Sequence, residues 1–331
     1  MENSMNLHDR TEIFSEVIQA TADHLSIPAV YVEKDYWVTY VLKNLSCSQY
    51  KEQLIFKGGT SLSKAYKLIH RFSEDIDLAA HLPNFSTNQT KAFLKKAEAE
   101  MTQGLIHIPD YPGESKRGTF RKAWFAYPRV ADGDFAQASS LLLLEINAFT
   151  TPEPFCLMPV NSLIADSLNM MGRPDLIQTF GLTAFNINVL NIERTVAEKI
   201  MGLVRASREV NAEEQLKSKI RHIYDLCLIR REVAYAGIFA ENTLLPMLDV
   251  VENSDRQQFA NAGNWLDTPI HKAAIFSDFE SIWRKIRAEF YTRFAPLVYD
   301  NDLPEDEEVL SLLKTLYEQT QSRGSSLHYQ E

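Results

Sequence analysis

Two short motifs constrain this chain more than any other feature. The first is Gly58-Gly59, which lies between an apolar run and the helix-like segment that starts at Thr60. The second is Asp75-Ile76-Asp77, which opens another apolar run. A glycine pair at such a turn lets backbone amides approach a phosphate, and the helix N-terminus adds positive charge. In a strand, Asp75 and Asp77 project from the same face. Together the motifs indicate a site for phosphate and a cation.

Each motif alone also has an ordinary interpretation. Asp-x-Asp is common in solvated turns, and Gly-Gly is common in tight turns that cap a helix. Two carboxylates on one strand face repel each other unless a cation lies between them, and Mg²⁺ binds through carboxylates together with substrate phosphates. The side chains of Thr60 and Ser61 can donate to the same phosphates. The occurrence of both motifs in one segment favours the phosphate and metal interpretation.

A third carboxylate occurs in the apolar segment Leu141–Ala148. Its alternation puts Leu142, Leu144 and Ile146 on the buried face and Glu145 on the other. An acid in so apolar a strand is costly if it is buried, unless it is paired or bound to a metal. Glu145 is therefore the candidate third acid of a two-metal site, and an exposed glutamate on a one-sided sheet is the alternative.

Composition limits the class of protein. The chain has 331 residues with 45% hydrophobic and 24% charged residues, which is globular and long enough for two domains. No run approaches the roughly 18 apolar residues of a membrane span, and the N-terminal residues lack the features of a secretory signal. We expect a cytoplasmic protein. The three cysteines show no paired spacing, which predicts neither a disulfide framework nor a zinc site.

Charge bears on possible nucleic-acid binding. The formal net charge of -10 argues against broad adhesion to nucleic acid, because such adhesion relies on Lys and Arg displacing counterions. A local basic groove is still compatible with it. Residues 116–129 mix Lys and Arg with aromatic residues. This stretch is compatible with an RNA clamp that stacks bases and equally with a hairpin that has a solvated face.

The spacing of apolar residues predicts an α+β, bilobal chain. Residues 1–48 show helical spacing and are expected to form an N-terminal helical layer packed on the first lobe. Residues 49–160 mix strand-like and helix-like segments and are expected to form the core, a small mixed sheet with helices. Residues 161–331 are expected to form a mainly helical C-terminal domain.

Individual helices can also be predicted. Within the core we expect one helix over 60–69 and another that is capped by Ser86 and runs to about Gln103. In the C-terminal part we expect helices over 191–207 and 212–232, with further helices beyond. On the helix over 212–232, Lys217, Arg221 and Asp225 would lie four apart on one face.

The ordered motifs resemble the AbiEii/AbiGii nucleotidyltransferase toxins, a branch of the DNA polymerase beta-like superfamily. The resemblance spans roughly residues 30–235, and residues after 236 match nothing that can be named. The matching segments are Lys34-Asp35-Tyr36-Trp37-Val38-Thr39, Lys57-Gly58-Gly59-Thr60-Ser61-Leu62, Arg71-Phe72-Ser73-Glu74-Asp75-Ile76-Asp77-Leu78, the strand with Glu145, Glu193–Ile200 and Arg221–Leu226. The resemblance implies a polymerase-beta-like lobe followed by a helical lobe, with one cleft between them.

The resemblance also implies roles for individual residues. Asp75 and Asp77 would bind both Mg²⁺ ions, and Glu145, as third acid and metal ligand, would help to activate the attacking hydroxyl. Lys199 would face the nucleotide phosphates, and Asp225 would orient Lys199 or a substrate hydroxyl. The candidate nucleotide-binding residues are Lys57, Gly58, Gly59, Thr60, Ser61, Arg71, Ser73 and Arg221.

Without the resemblance, several of these residues have simpler interpretations. Lys199 would be an ordinary solvated lysine. Arg221 and Asp225 would form a helical salt bridge worth a few tenths of a kcal/mol. Arg71 would contact a triphosphate or pair with Glu74.

The expected activity is Mg²⁺-dependent transfer of a nucleoside monophosphate from an NTP to a hydroxyl, with tRNA or another RNA as candidate acceptor. The chain would be the toxin of a bacterial toxin-antitoxin or abortive-infection system, with a cognate antitoxin as partner. The alternatives are modification of a protein or small molecule, and a catalytically degenerate binding module. A metal-dependent glycosyltransferase is disfavoured because only 74 residues precede Asp75, too few for a nucleotide-sugar domain. The preferred base has no sequence signature.

Overall fold

The computed structural model describes residues 5–135, 139–258, 266–299 and 302–326. The chain divides into two compact units. The sheet unit contains the chain up to Lys67 and then Phe72–Leu190. The helical unit contains Leu68–Arg71 and the chain from Asn191 onward. The chain therefore leaves the sheet unit after Lys67 and returns to it at Phe72.

The division between the units differs from the domain boundaries expected from the sequence. The N-terminal helices belong to the same compact unit as the sheet, and the sheet unit continues to Leu190 instead of ending near residue 160. The reason is that two further strands between residues 155 and 190 join the sheet. Strands can be expected in this region from the sequence, but the pairing of the strand Phe185–Leu190 with the distant strand Leu54–Lys57 leaves no local pattern.

The described part of the sheet unit contains both helices and strands. The helices are α1 (Thr11–Leu25), α2 (Ala29–Cys47), α3 (Gly58–Lys64), α4 (Thr87–Met101), α5 (Leu163–Met170) and α6 (Pro174–Thr179). The strands are β1 (Leu54–Lys57), β2 (Ile76–Ala80), β3 (Ile106–Ile108), β4 (Ser115–Arg117), β5 (Phe120–Ala126), β6 (Leu142–Asn147), β7 (Phe155–Val160) and β8 (Phe185–Leu190).

The strands form one mixed sheet in the order β3-β5-β6-β2-β1-β8-β7, with β4 paired to β5. β1 pairs with β2 antiparallel, β2 with β6 parallel, and β5 with β6 antiparallel. This register aligns four charged residues across neighbouring strands: Lys57 opposite Asp77, Asp77 opposite Glu145, and Glu145 opposite Lys122. Their apolar neighbours, such as Ile76 and Leu144, are buried. One sheet face is therefore apolar and the other carries the charges.

The helix α4 shows how local sequence determines an element of this unit. The Ser86 side chain accepts a hydrogen bond from the Gln89 backbone N–H, and the Gln89 side chain accepts one from the Ser86 N–H. This reciprocal capping box satisfies two of the unpaired amides at the helix start. The prediction of a helix capped by Ser86 is confirmed, and its end at Met101 is two residues earlier than expected.

The helix α3 is shorter than the sequence predicted. It ends at Lys64 instead of Ile69. Lys67 has a φ of +56°, in the left-handed region that a continuing α-helix excludes, and the next residues belong to the helical unit. The predicted helix over 60–69 is therefore too long: α3 makes about two turns and is followed by an irregular segment.

The described part of the helical unit consists of helices, apart from one isolated bridge between Arg71 and Val298. Its helices are α7 (Ile192–Ser207), α8 (Ala212–Ser218), α9 (Ile220–Arg231), α10 (Val233–Ala236), α11 (Glu241–Gln258), α12 (Ala274–Ser277), α13 (Phe279–Glu289) and α14 (Asp306–Ser326). The predicted α+β class with a helical C-terminal part is confirmed. Among the described residues, none of the helices has the length and apolarity needed to cross a membrane.

One predicted helix is divided in two. The sequence predicted a single helix over 212–232, but α8 ends at Ser218 and α9 begins at Ile220. Lys217 therefore does not share a helix face with Arg221 and Asp225. It pairs instead with Glu213 and Glu214 on its own helix, at 2.8 Å from each.

Candidate functional site

The three candidate metal-binding carboxylates are carried by two neighbouring strands of the sheet unit. Asp77 lies on β2, directly opposite Glu145 on β6, and Asp75 is the residue immediately before β2. All three are half-buried, while the intervening Ile76 is fully buried. The register therefore places Asp77 and Glu145 side by side on the charged face of the sheet, with Asp75 next to the start of the same strand as Asp77.

The Gly58-Gly59 turn at the start of α3 approaches this face closely. Gly58 has a φ of +81°, which L-residues with a side chain rarely adopt. A Cβ atom at this position would overlap with Oδ2 of Asp77 and lie 3.2 Å from the Asp77 Cβ. Gly58 thus has two independent reasons to be glycine: its backbone conformation and the space next to the Asp77 carboxylate.

The hydroxyl groups next to this turn are engaged within the protein. Thr60 Oγ1 donates to the backbone carbonyl of Asp75 at 2.6 Å and lies 2.9 Å from Ser73 Oγ. Ser61 Oγ donates to the carbonyl of Gly58 at 2.9 Å. Both Thr60 and Ser61 are buried. In this structure the Thr60 hydroxyl joins the glycine turn to the aspartate segment, and the Ser61 hydroxyl closes the turn itself. Donation to a phosphate would require these bonds to break.

Glu145 has a cationic partner that the sequence did not identify. Lys122 on β5 lies opposite Glu145, and its Nζ is 2.5 Å from Glu145 Oε1. Both side chains are 28% exposed. Within the described ranges, no three His, Cys, Asp or Glu side chains are close enough to hold a metal ion. The role of Glu145 as third metal ligand therefore stays a prediction.

The structure distinguishes between the two interpretations of residues 116–129. Arg121 is buried and forms two hydrogen bonds to the carboxylate of Glu98 on α4, at 2.6 and 2.5 Å. Trp124, Phe125 and Tyr127 are buried. β4 pairs with β5 antiparallel, and Lys116 and Arg117 on β4 are exposed. The stretch is a packed hairpin, and its aromatic rings are largely unavailable for stacking on bases.

In the helical unit, Asp225 is the centre of a buried ionic cluster. Lys199 Nζ lies 2.6 Å from Asp225 Oδ2. Arg71 donates from Nε to Oδ1 at 2.7 Å and from Nη2 to Oδ2 at 2.9 Å. Burial alone would raise the pKa of Asp225, but the charges of Arg71 and Lys199 outweigh it and hold the pKa well below its ordinary value. Asp225 therefore stays ionised.

This cluster replaces two of the simpler interpretations. Lys199 is a buried lysine with a carboxylate partner, so it is not an ordinary solvated side chain. Arg71 pairs with Asp225, while Glu74 pairs with Lys34. Arg221 lies on α9 one turn before Asp225 and is half-buried. The sequence showed no link between residues 71 and 225, because their contact spans 154 positions.

His222 packs against the same cluster. Its Nδ1 lies 3.2 Å from the backbone carbonyl of Lys199. A Cβ at Gly202 would lie 2.9 Å from the His222 ring, so the glycine makes room for the imidazole. Burial, followed by the charges of Lys199 and Lys219, lowers the pKa of His222 to about 3. The imidazole is neutral at physiological pH and contributes no charge to the cluster.

Comparisons with known proteins agree with this picture. Residues 40–310 match the family described as the nucleotidyl transferase AbiEii toxin of type IV toxin-antitoxin systems. Among solved structures, MenT4, a nucleotidyltransferase toxin from Mycobacterium tuberculosis H37Rv, is similar with 18% sequence identity and a TM-score of 0.52. The alignment covers 90% of this chain and 98% of MenT4. No curated protein sequence matches.

The likeness to MenT4 at this identity shows the fold alone. The family match covers most of the chain, and it includes every candidate site residue from Lys57 to Asp225. It also extends over residues 236–310, for which no resemblance was seen in the sequence. The chain belongs to the AbiEii family of nucleotidyltransferase toxins of type IV toxin-antitoxin systems.

Proposed function

We propose that this nucleotidyltransferase moves a nucleoside monophosphate from an NTP to a hydroxyl group, with Mg²⁺ bound at the carboxylates of Asp75, Asp77 and Glu145. The observation that carries the proposal is the register of β2 and β6. It pairs Asp77 with Glu145, and the Gly58 turn lies against the Asp77 carboxylate. Asp75 is the residue immediately before β2.

The residues present suit a hard divalent cation. Asp77 on β2 and Asp75 immediately before it offer carboxylate oxygens, the donors that Mg²⁺ prefers. Gly58 keeps free the space beside Asp77 Oδ2 that a Cβ would fill. Asp75 and Asp77 would hold the metal, with Glu145 as the candidate third ligand. When bound, the metal would lower the pKa of the attacking hydroxyl and neutralise charge on the triphosphate.

The reaction requires one bond to form and one to break. The acceptor oxygen bonds to the α-phosphorus, and the bond from that phosphorus to the pyrophosphate oxygen breaks. We assign Glu145 to receive the hydroxyl proton, with Lys122 fixing the direction of its carboxylate. Alignment of the reactants and stabilisation of charge provide most of the remaining rate enhancement.

The nucleotide-binding roles follow from the family resemblance. We assign Lys199 to the phosphates, with its ammonium fixed in the buried cluster by Asp225, which Arg71 holds in turn. Lys57, Gly58 and Gly59 contribute the turn at the start of α3, which Ser61 closes through the Gly58 carbonyl. Thr60 and Ser73 hold that turn against the aspartate segment. Arg221 is a further candidate contact to the nucleotide.

For the acceptor we propose RNA, with tRNA as the first candidate, and for the site of action the cytosol, where both substrates occur. The support is the toxin family and the hydroxyl chemistry of an RNA 3′ end. The protein partner would be the cognate antitoxin that the type IV system implies. Proteins and small molecules with a free hydroxyl are the competing acceptors.

The test is incubation of the purified protein with each NTP labelled at the α-phosphate, Mg²⁺ and one acceptor pool at a time. The pools are total RNA, purified tRNA, a protein extract without RNA, and a small-molecule extract. We expect label in the tRNA or total RNA pool. Label in the protein or small-molecule pool alone would overturn the RNA proposal. No label in any pool, with no loss of growth on expression, would favour a catalytically degenerate binding module.

A further inference from the structure

Three consecutive charged residues on α2 take no part in the proposed chemistry. They are Glu33, Lys34 and Asp35, and Lys34 is only 1% exposed. Lys34 forms an ion pair with Glu74. Such buried ion pairs contribute little net stability, because the cost of removing two charges from water offsets much of their attraction. Glu33 accepts from the N–H groups of residues 130–131, but Lys34 and Asp35 each have a partner in one of the two segments that form the candidate site.

The first partner segment is residues 72–75, which lead into β2. Each of its members has a specific contact. The Phe72 ring stacks on Tyr31 with ring centroids 3.9 Å apart and an interplanar angle of 11°. Glu74 pairs with Lys34. The Ser73 hydroxyl and the Asp75 carbonyl both form hydrogen bonds with the Thr60 hydroxyl. Tyr31 and Lys34 are one turn apart on α2. This helix therefore holds two of the four residues, including the one immediately before Asp75.

Lys34 makes a second connection from the same position. Its ammonium donates to Glu74 and also to the backbone carbonyl of Ser139. Glu74 in turn accepts from the Ser139 N–H at 3.1 Å. Ser139 lies just before β6, the strand of Glu145. One ammonium thus joins the residue before Asp75 to the chain that enters the strand of Glu145.

The second partner segment is α3, which begins at the Gly58-Gly59 turn. Asp35 Oδ1 accepts from Lys64 Nζ at 2.6 Å, and Asp35 Oδ2 accepts from the Leu163 N–H at 2.8 Å. Lys64 also donates to Thr39 Oγ1 at 2.6 Å. Lys64 is 3% exposed, so this bond fixes the end of α3 to α2 inside the protein.

We propose that Lys34 and Asp35 are positioning residues for nucleotidyl transfer. Lys34 fixes Asp75 through Glu74, and Asp35 fixes the glycine turn through Lys64. Neither residue contacts the reacting atoms. The inference rests on the proposed role of Asp75 as a metal ligand, and it adds that the metal site and the phosphate turn are set in place by one helix.

The first test measures metal affinity without turnover. Mn²⁺ is titrated into the full chain and free Mn²⁺ is followed by electron paramagnetic resonance, for wild type, Lys34→Met and Glu74→Gln. We expect each substitution to weaken Mn²⁺ binding by about tenfold, the lower range for residues that orient metal ligands. The double variant Lys34→Glu with Glu74→Lys, which restores an ion pair, should regain part of the affinity.

The matched control is Arg121→Met. Arg121 forms a buried pair with Glu98 that resembles the Lys34 pair in exposure but contacts neither residues 72–75 nor α3 in any described hydrogen bond. Arg121→Met should lower the melting temperature about as much as Lys34→Met does, and leave the Mn²⁺ affinity unchanged. Equal loss of Mn²⁺ affinity in Arg121→Met and Lys34→Met would overturn the proposal. If Lys34→Met does not fold, Glu74→Gln decides the question.

Asp75→Asn in the same titration separates this inference from the proposed function. If Asp75→Asn binds Mn²⁺ like wild type, the metal assignment fails. If Asp75→Asn loses Mn²⁺ binding while Lys34→Met and Glu74→Gln keep it, only the positioning role fails.

The second test concerns Asp35 and the phosphate turn. Asp35→Asn should raise KM for the NTP severalfold more than it lowers kcat, and leave Mn²⁺ affinity without nucleotide unchanged. The control is Lys43→Met, on the same helix, whose ammonium donates to the Gly181 carbonyl instead. The same rise of KM in both variants would contradict a specific role for Asp35.

Discussion

Among single residues, Gly58 gives the sharpest link between backbone geometry and chemistry. Its left-handed φ and the overlap of a Cβ with the Asp77 carboxylate act at the same position. Gly58→Ala should therefore displace Asp77 as well as strain the backbone. We expect transferase activity to fall by at least a hundredfold, measured as label transferred per minute.

The chain provides a matched control for this prediction. Gly172 also has a left-handed φ, +70°, but a Cβ there would have nothing within 4 Å. Gly172→Ala should lose about 1 kcal/mol of unfolding free energy from backbone strain and keep its activity. Equal activity losses in the two variants would mean that strain, and not the Asp77 contact, explains the effect.

His222 makes stability depend on pH in a known direction. Its folded-state pKa of about 3 lies below the ordinary 6.5, so between these values the unfolded chain binds a proton that the folded chain does not. Stability should therefore be complete above about pH 6.5 and fall as the pH drops toward 3. From pH 7 to 5 the loss from this residue is up to about 2 kcal/mol.

Denaturant unfolding at pH 7 and pH 5 checks this prediction. His222→Gln should lose less stability than wild type over that interval, by up to the same amount. The low pKa of Asp225 matters only at more acidic pH, because its contribution is present above the unfolded pKa near 4 and is lost below it. An identical pH dependence in wild type and His222→Gln would contradict the assignment.

Asp225 is the residue whose loss should be most damaging to the helical unit. Asp225→Asn leaves Arg71 and Lys199 as buried cations without their carboxylate. Breaking such a cluster by removing one partner costs about 3 to 5 kcal/mol. Unfolding in urea measures it, with Asp175→Asn as control, because the Arg173–Asp175 pair is exposed and its loss should change stability little. Similar losses in both variants would contradict the buried cluster.

Among the elements, those with local sequence determinants were predictable. The α4 cap and α7 follow from capping residues and apolar spacing, and both were confirmed. The features that the sequence did not predict are those that depend on contacts between distant residues. The end of α3 is determined where the chain enters the other unit, and the pairing of Lys122 with Glu145 follows from the β5–β6 register. Neither leaves a local pattern.

The cap of α4 yields a prediction for an element far from the chemistry. Ser86→Ala removes the oxygen that accepts from the Gln89 N–H and leaves part of the capping box unsatisfied. We expect about 1 kcal/mol less unfolding free energy and unchanged transferase activity. A change in activity without loss of stability would mean that α4 has a role in the site that the structure does not explain.

For the chain as a whole, the motifs predicted the family more reliably than the arrangement of the site. The ordered motifs identified the nucleotidyltransferase toxins, and the family match confirmed them. The helices after residue 236 carry no chemical motif, so their membership in the family was not visible in the sequence. The candidate residues are distributed over both compact units: the aspartates, Glu145 and the glycine turn in one, and Lys199, Asp225, Arg71 and Arg221 in the other.

The central claim is that the carboxylates of the sheet unit bind the metal on which transfer depends. The most direct measurement compares label transfer from an α-phosphate-labelled NTP by wild type, Asp75→Asn and Asp175→Asn, with and without Mg²⁺. Asp75→Asn removes one ligand charge with little change of shape. We predict Mg²⁺-dependent transfer by wild type and Asp175→Asn, and none above background by Asp75→Asn. Full activity of Asp75→Asn would contradict the account.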